Sequence, residues 1–377
     1  MQKVSNKIYL DHVSTTKPHK EVLDTYTKLL EKYYYNSDAL YDDGVAVYRL
    51  QEEARAKIAN MLNVRSDEII FTSGASEANS MAIKGICLNS KERKHIITSI
   101  YEHSSVYNAI RQMEDKLGFE VTYLYPDDQG VIKPEKVKEA LRSDTLLVSI
   151  MHVNNEIGSI NDVESIAEIV KKHSGTYFHV DMTQSLGKIA INLDNIDMAS
   201  FSAHKIHGLK GSGFLYKRNY IEIAPLISGG QQEFKIRGGT SNACTNIVLA
   251  KTVRMALDEM VSSAKKIKEL KDYCLEELAK IDEVTINSPK NAIYNIINIS
   301  TNVKSEVMMN AFNLKGIMVS SKSTCGSREN EPSRVLLSIG VDDNNAIRIS
   351  FDNTNTIQEI DEFIKILKGN IKKYGRD

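Results

Sequence analysis

The sequence predicts an α/β protein: a large domain built on a mostly parallel β-sheet covered by helices, followed by a smaller α+β domain. Short apolar runs at 68–72, 95–99, 120–124, 145–150, 177–181 and 198–202 alternate with amphipathic stretches, the pattern of successive βαβ units. In one such stretch Val163, Ile166, Ala167, Ile169 and Val170 recur close to one helical face. Beyond glycine-rich segments at 208–213 and 229–239, a long charged amphipathic stretch from about 250 to 280 reads as a helix leading into the second unit.

That second unit contains an alternating strand at 294–299, a polar loop at 320–332, a strand at 347–350 and a final helix from Ile357. The mix of elements suits an α+β domain. With 377 residues, 42% hydrophobic and 26% charged, the chain is long enough for about two domains, each with its own core. A net charge of -1 provides no field to recruit nucleic acid or an anionic membrane. A small-molecule substrate or a protein partner is expected instead.

Residues 1–6 lack an apolar targeting core and no run approaches a bilayer span, so the expected location is cytoplasmic. Cys87, Cys244, Cys274 and Cys325 show no CxxC spacing, which argues for reduced thiols over a disulfide framework or a zinc cluster. The run Tyr33, Tyr34, Tyr35 suits packing or a domain edge and is given no role.

The chemistry-bearing residues follow the strands. Lys205 stands between His204 and His207, after the 198–202 run and before the glycine-rich turn. A lysine desolvated there keeps a reactive amine able to form a Schiff base with an aldehyde cofactor, although most lysines are solvated surface charges. Asp181 ends the preceding strand, where open α/β sheets bind ligands. It is suited either to cap the next helix or to hold a pyridinium nitrogen protonated.

The stretch from Thr72 through Ser73, Gly74, Ala75 and Ser76 to Glu77 reads as a strand end, a small-residue turn and a helix start. Such a turn is either a plain N-cap or an anion site suited to phosphate. His103 follows the 95–99 strand and Asn155 follows the 145–150 strand; an imidazole can stack on an aromatic ring and an amide can bond its oxygen or a carboxylate. Cys325, near Lys322 and Arg328 in the polar loop, is either an incidental thiol or a nucleophile favoured as thiolate. Cys87 and Cys274, on helical patterns, read as packing residues.

Taken in order, these motifs resemble the cysteine desulfurases, pyridoxal-phosphate enzymes of aminotransferase fold type I, in the group with a longer catalytic loop. The likeness runs from Tyr9-Leu10-Asp11 and Ser14-Thr15-Thr16, through Thr72-Ser73-Gly74-Ala75-Ser76-Glu77, His152-Val153-Asn154-Asn155-Glu156 and His179-Val180-Asp181, to Ser202-Ala203-His204-Lys205. It continues through Arg237-Gly238-Gly239-Thr240, Cys325 with Glu331-Pro332-Ser333, and Ile347-Arg348, so it covers nearly the whole chain.

The resemblance implies a seven-stranded sheet in a large domain at 13–255, with residues 1–12 and 256–377 forming the small domain that carries the cysteine loop. It makes Lys205 the Schiff-base lysine, Asp181 the pyridinium partner, Gln184 a hydrogen bond to the ring oxygen, and His103 the stacking and proton-relaying group. Ala75, Ser76, Ser202 and His204 would hold the phosphate, joined by Thr240 from the other subunit of a homodimer. Asn155 contacts cofactor and substrate, Arg348 grips the substrate carboxylate, and Cys325 takes the sulfur of L-cysteine as a persulfide, leaving L-alanine. A sulfur-acceptor protein then follows, an iron-sulfur scaffold or a tRNA-thiolation enzyme.

The chain departs from the family pattern at Lys322 and Thr324, where glycine and alanine are usual, at Ala203 for glycine and at Gly238 for serine. An asparagine-proline-serine-serine segment is Asn36-Ser37-Asp38-Ala39, and a leucine-glycine-arginine segment is Phe351-Asp352-Asn353. Two alternatives stand beside the desulfurase: a selenocysteine lyase or other lyase or aminotransferase of the same fold, in which Cys325 is dispensable, and a non-catalytic sulfur-transfer scaffold.

Overall fold

Consecutive residues of the apolar runs bury into opposite sides of one sheet. Ile69, Phe71, Ile97 and Val148 join one hydrophobic core, whereas Ile70, Ile96 and Leu147 join another. A sheet covered on both faces needs strands that are apolar throughout, which is why these segments read as runs. The structure is a computed structural model and describes residues 7–321 and 332–375.

The strands, in chain order, are β1 (Ile8–Tyr9), β2 (Ile69–Thr72), β3 (His95–Ser99), β4 (Glu120–Leu124), β5 (Thr145–Ser149), β6 (Tyr177–Asp181), β7 (Met198–Ser202), β8 (Gly213–Lys217), β9 (Thr285–Ile286), β10 (Ile296–Ser300), β11 (Ile317–Met318) and β12 (Ala346–Ser350). The main sheet has seven strands in the order β2-β8-β7-β6-β5-β3-β4. β8 runs against both its neighbours and the others are mutually parallel. Helices Ala75–Asn89 and Ser104–Leu117 cover one face, and Asp42–Met61 and Val163–Lys171 the other. The carboxyl ends of β2, β3, β5, β6 and β7 therefore meet along one edge, where ligands of such sheets bind.

β8 was hidden in the sequence because its residues follow the glycine-rich 208–213 segment and a short strand there reads as part of the loop. Two predicted strand ends are one residue too long. Glu68 belongs to a 3-10 turn, its carboxylate accepting from Arg65 N at 3.0 Å, and Ile150 lies beyond β5. The strand expected at 294–299 starts at Ile296.

The long helix spans Ala243–Leu278 and so begins earlier than the 250 read from periodicity. Its first part, with Leu249 and Val253, packs into the large core, and its last part, with Ile267, Leu270 and Cys274, packs into a separate one. Ile8 and Leu10 join that second core, beside the three-stranded β12-β10-β9 sheet and the final helix Ile357–Tyr374. Cys87 and Cys274 are buried, and burial pushes the Cys87 thiol up to about 12. Among the described residues no helix is long and apolar enough to cross a membrane.

Candidate active site

A cavity of about 410 Å³ opens at the carboxyl edge of the main sheet. At one end β2 runs into the helix Ala75–Asn89 through Gly74, whose φ of +139° suits glycine. A Cβ on Gly74 would stand 3.4 Å from Ser202 Oγ, an ordinary contact, so the backbone conformation and not space calls for glycine at this turn. Ala75 and Ser76 form the first helical turn and line the cavity with Ser202. Free backbone N–H groups and hydroxyls in that arrangement form a seat for a phosphate dianion. Glu77 holds the turn, accepting from Ser73 N and from Arg237 Nε, each at 2.8 Å. Burial raises the Glu77 pKa, but these hydrogen bonds outweigh it and the net shift is downward.

His204 lines the same end, with Nδ1 3.1 Å from Thr15 Oγ1. Burial, reinforced by Lys205 and Lys210, lowers its pKa to about 4. Its neighbour Lys205 donates from Nζ to Val13 O at 2.7 Å and Ser14 O at 2.8 Å. The 3-10 turn Ala203–Lys205 thus aims the amine at the N-terminal segment across the cavity.

Asp181, at the end of β6, is buried and accepts from Asn79 Nδ2 at 2.8 Å and Thr183 N at 2.9 Å. His103, the N-cap of helix Ser104–Leu117, has Nδ1 2.8 Å from Ser105 Oγ. Burial holds its pKa below the ordinary value, Asp181 opposes this, and Lys205 and Arg334 add to it. Gln184 donates from Nε2 to Val13 O at 3.2 Å, and its Oε1 accepts from Lys188 Nζ at 2.8 Å. Lys188 is pushed down to about 7, first by burial and then by Lys205. A second lysine therefore sets the orientation of the amide expected at the ring oxygen.

Arg348 closes the far end. It is 1% exposed, and its Nη1 donates to Asn155 O while Nη2 donates to Asp11 Oδ1 and Ser14 Oγ, each at 2.8 Å. Its Nε is buried and has no partner among the described residues. An unsatisfied buried guanidinium N–H is costly, and Arg348 borders the cavity, where a guanidinium suits a carboxylate. Asn155 is presented by a turn in which Asn154 Oδ1 accepts from Glu156 N and Ile157 N at 2.8 and 3.0 Å.

Lys205, Asp181, His103, Gln184, Asn155, Ala75, Ser76, Ser202, His204 and Arg348 all border this one cavity. Thr240 does not; it is exposed outside it. Cys325, Lys322 and Thr324 lie outside the described residues. Sequence reasoning missed the roles of Asn79, Ser105, Lys188, Glu77 and the Asp11–Ser14 pair. For Asn79 the signal was a polar residue among apolar ones on a buried helix; Glu77, Asp11 and Ser14 stood within quoted motifs without a role, and nothing local distinguished Ser105 or Lys188.

Two departures from the family pattern have structural reasons. A Cβ on Gly238 would come within 2.5 Å of Gly229 Cα, so serine does not fit where the two ends of the 229–239 segment lie against each other. Asp352 pairs with His207 Nε2 at 2.9 Å. Ala203 is buried beneath Gly208, and nothing in the structure explains its replacement of glycine.

A cradle for phosphate, a carboxylate fixed opposite it, an imidazole beside it and an amine within reach fit pyridoxal phosphate. The match to other proteins agrees. Residues 8–363 match the aminotransferase class-V family model. A relative from Dictyoglomus turgidum, named cysteine desulfurase IscS, is 40% identical over 98% of this chain and 96% of its own length. One of the same name from Haemophilus influenzae is 42% identical over 85% of this chain and 81% of its own.

Among solved structures, a NifS-like protein superposes with a TM-score of 0.91 at 34% identity, covering 97% of this chain and all (100%) of that one. A protein titled SspA in complex with cysteine gives 0.81 at 34% identity, covering 93% of this chain and all (100%) of that one. The chain belongs to the class-V aminotransferase family and is a pyridoxal-phosphate-dependent enzyme.

Proposed function

We propose that the protein is a cysteine desulfurase, converting L-cysteine to L-alanine and passing the sulfur to Cys325 as a persulfide. The observation that carries this is the buried cation of Arg348 bordering one cavity with Lys205 and Asp181. A carboxylate grip, a cofactor amine and an acid for the ring nitrogen together suit an α-amino acid substrate. The relatives named cysteine desulfurase and the relative solved with cysteine support that amino acid.

When bound, pyridoxal phosphate supplies a sink for the electron pair left on Cα once its proton is removed. The chain's residues do the rest. Ala75, Ser76, Ser202 and His204 hold the phosphate, and Asp181, kept in place by Asn79 and Thr183, keeps the ring nitrogen protonated. Arg348 and Asn155 orient the substrate. Lys205 Nζ, the amine that anchors the cofactor, serves as the base for the Cα proton. The Cys325 thiolate then attacks the substrate sulfur: an S–S bond forms, the Cβ–S bond breaks, and its electron pair ends as a C–H bond at Cβ after protonation.

We assign residues 13–255 to the large domain, and 1–12 with 256–377 to the small one. The working unit is a homodimer. Exposed Leu40, Tyr48 and Phe234 line one cleft with Ser241, next to Thr240, and a second copy covering this apolar patch would bring Thr240 to its phosphate site. The sulfur acceptor is an iron-sulfur scaffold or a tRNA-thiolation enzyme in the cytoplasm.

Cysteine-dependent release of sulfide and alanine by wild type, Lys205→Ala and Cys325→Ala tests the reading. Wild type is active and yellow with pyridoxal phosphate, Lys205→Ala is neither, and Cys325→Ala is inactive but yellow. Undiminished sulfide release by Cys325→Ala would reject the persulfide route and leave a lyase.

A further inference from the structure

Behind the ring end of the cavity lies a hydrogen-bond chain whose proton directions are determined throughout. Ser105 N–H donates to His103 Nδ1 at 3.2 Å. A backbone amide can only donate, so Nδ1 is an acceptor and the neutral imidazole carries its proton on Nε2. The Ser105 hydroxyl, 2.8 Å from the same nitrogen, therefore donates to it as well. Its lone pairs receive Asn79 Nδ2 at 2.9 Å, and the other hydrogen of that amide goes to Asp181 Oδ2 at 2.8 Å. Reversing the amide would turn its oxygen against the carboxylate, so Asp181 selects the orientation of Asn79. Asn79 is fully buried on the helix Ala75–Asn89 and does not border the cavity.

We infer that Asn79 is a positioning residue which, by giving one amide hydrogen to Asp181 and the other to Ser105, couples the pyridinium partner to the tautomer of His103 and keeps the His103 proton on Nε2. An imidazolium would need a proton on Nδ1, where two donors already point, so the chain opposes that state and keeps Nε2–H as a hydrogen-bond donor. The charged groups facing His103 are Asp181, Lys205 and Arg334. The catalytic meaning rests on the reading of Asp181 and His103 as ring contacts; the tautomer does not.

The test is nitrogen NMR of 15N-histidine-labelled protein across pH, with and without pyridoxal phosphate, the His103 signal being assigned by its loss in His103→Gln. Wild type shows an unprotonated, pyridine-like Nδ1 in its neutral form even without cofactor. In Ser105→Ala and Asn79→Ala the neutral form becomes a mixture of tautomers and the titration midpoint moves upward; Ser105→Thr restores the wild-type pattern. Ser105→Ala lowers kcat for cysteine about fivefold with KM unchanged, the worth of one neutral hydrogen bond.

A protonated Nδ1 in wild type, or unchanged tautomer and midpoint in both variants, overturns the inference. If Asn79→Ala does not fold, Ser105→Ala, at a partly exposed position, decides alone. Failure of wild type to take up pyridoxal phosphate would instead refute the ring contacts, and the cofactor-free tautomer would still be read.

Discussion

Replacing Asp352 by asparagine should cost stability chiefly at mildly acidic pH. His207 lies two residues after Lys205, its Nδ1 2.9 Å from Lys17 O and its Nε2 2.9 Å from Asp352 Oδ2. Both partners are acceptors, so both ring nitrogens carry protons and the pair is ionic. Burial disfavours the charged imidazole, but Asp352 and Lys17 O outweigh it and raise the His207 pKa above its ordinary 6.5. For Asp352 burial is likewise outweighed by His207, and its pKa falls well below 3.8.

The sign follows from linkage. The contribution of His207 is complete below 6.5 and is lost as pH rises through its higher folded value. That of Asp352 is complete above 3.8 and is lost only as pH falls through its lower folded value. The pair is thus fully stabilising between those two ordinary values.

Its side chains are 19% and 10% exposed, so screening is modest. A hydrogen bond between charged groups in such a setting is worth about 2 kcal/mol. His12 and His19, packed beside the pair, are pushed down by burial while Asp352 pulls both back up, so its loss lowers them further and adds to the deficit on the acidic side. Scanning calorimetry of wild type and Asp352→Asn should show a deficit of about 2 kcal/mol near pH 5.5 that shrinks toward about pH 9. A deficit that is constant or grows with pH would refute the ionic reading of this contact.

Glu233 accepts from Arg55 Nη1 at 2.7 Å, Arg55 Nη2 at 2.8 Å and Phe71 N at 2.8 Å, with both ionic side chains nearly inaccessible. Arg55 also pairs with Glu52 at 3.1 Å and donates to Ile69 O, so Glu233→Ala leaves the guanidinium one carboxylate but removes the buried one, and should cost about 2–3 kcal/mol in thermal or urea unfolding, with Glu233→Gln milder. Arg348→Lys keeps the charge but loses the planar fork, and should raise KM for cysteine roughly tenfold to hundredfold while Lys205 still takes up pyridoxal phosphate to give yellow protein.

Most of the main sheet was legible because burial on both faces makes its strands apolar runs, and the parity of Ile69, Ile70 and Phe71 shows that burial directly. Lys205, Asp181, His103 and Asn155 were legible as candidates because each lies at or a few residues beyond the end of a run, where ligands gather in such sheets. β8 was not, because a short strand entered through glycines has no local signal. The early start of the helix Ala243–Leu278 was also missed, since polar Thr245 and Asn246 are buried there against the fold's own groups.

Local order along the chain determined which chemistry is present: the phosphate turn, the acid at a strand end, the lysine between two histidines and the arginine near the carboxyl end. Only the tertiary structure decided how those groups are held. It set Asn79 and Ser105 behind Asp181 and His103, Lys188 behind Gln184, Asp11 and Ser14 against Arg348, and Asp352 against His207. Most of these contacts join residues far apart in the chain. A hydrogen bond depends on distances of a few ångströms that sequence separation does not encode.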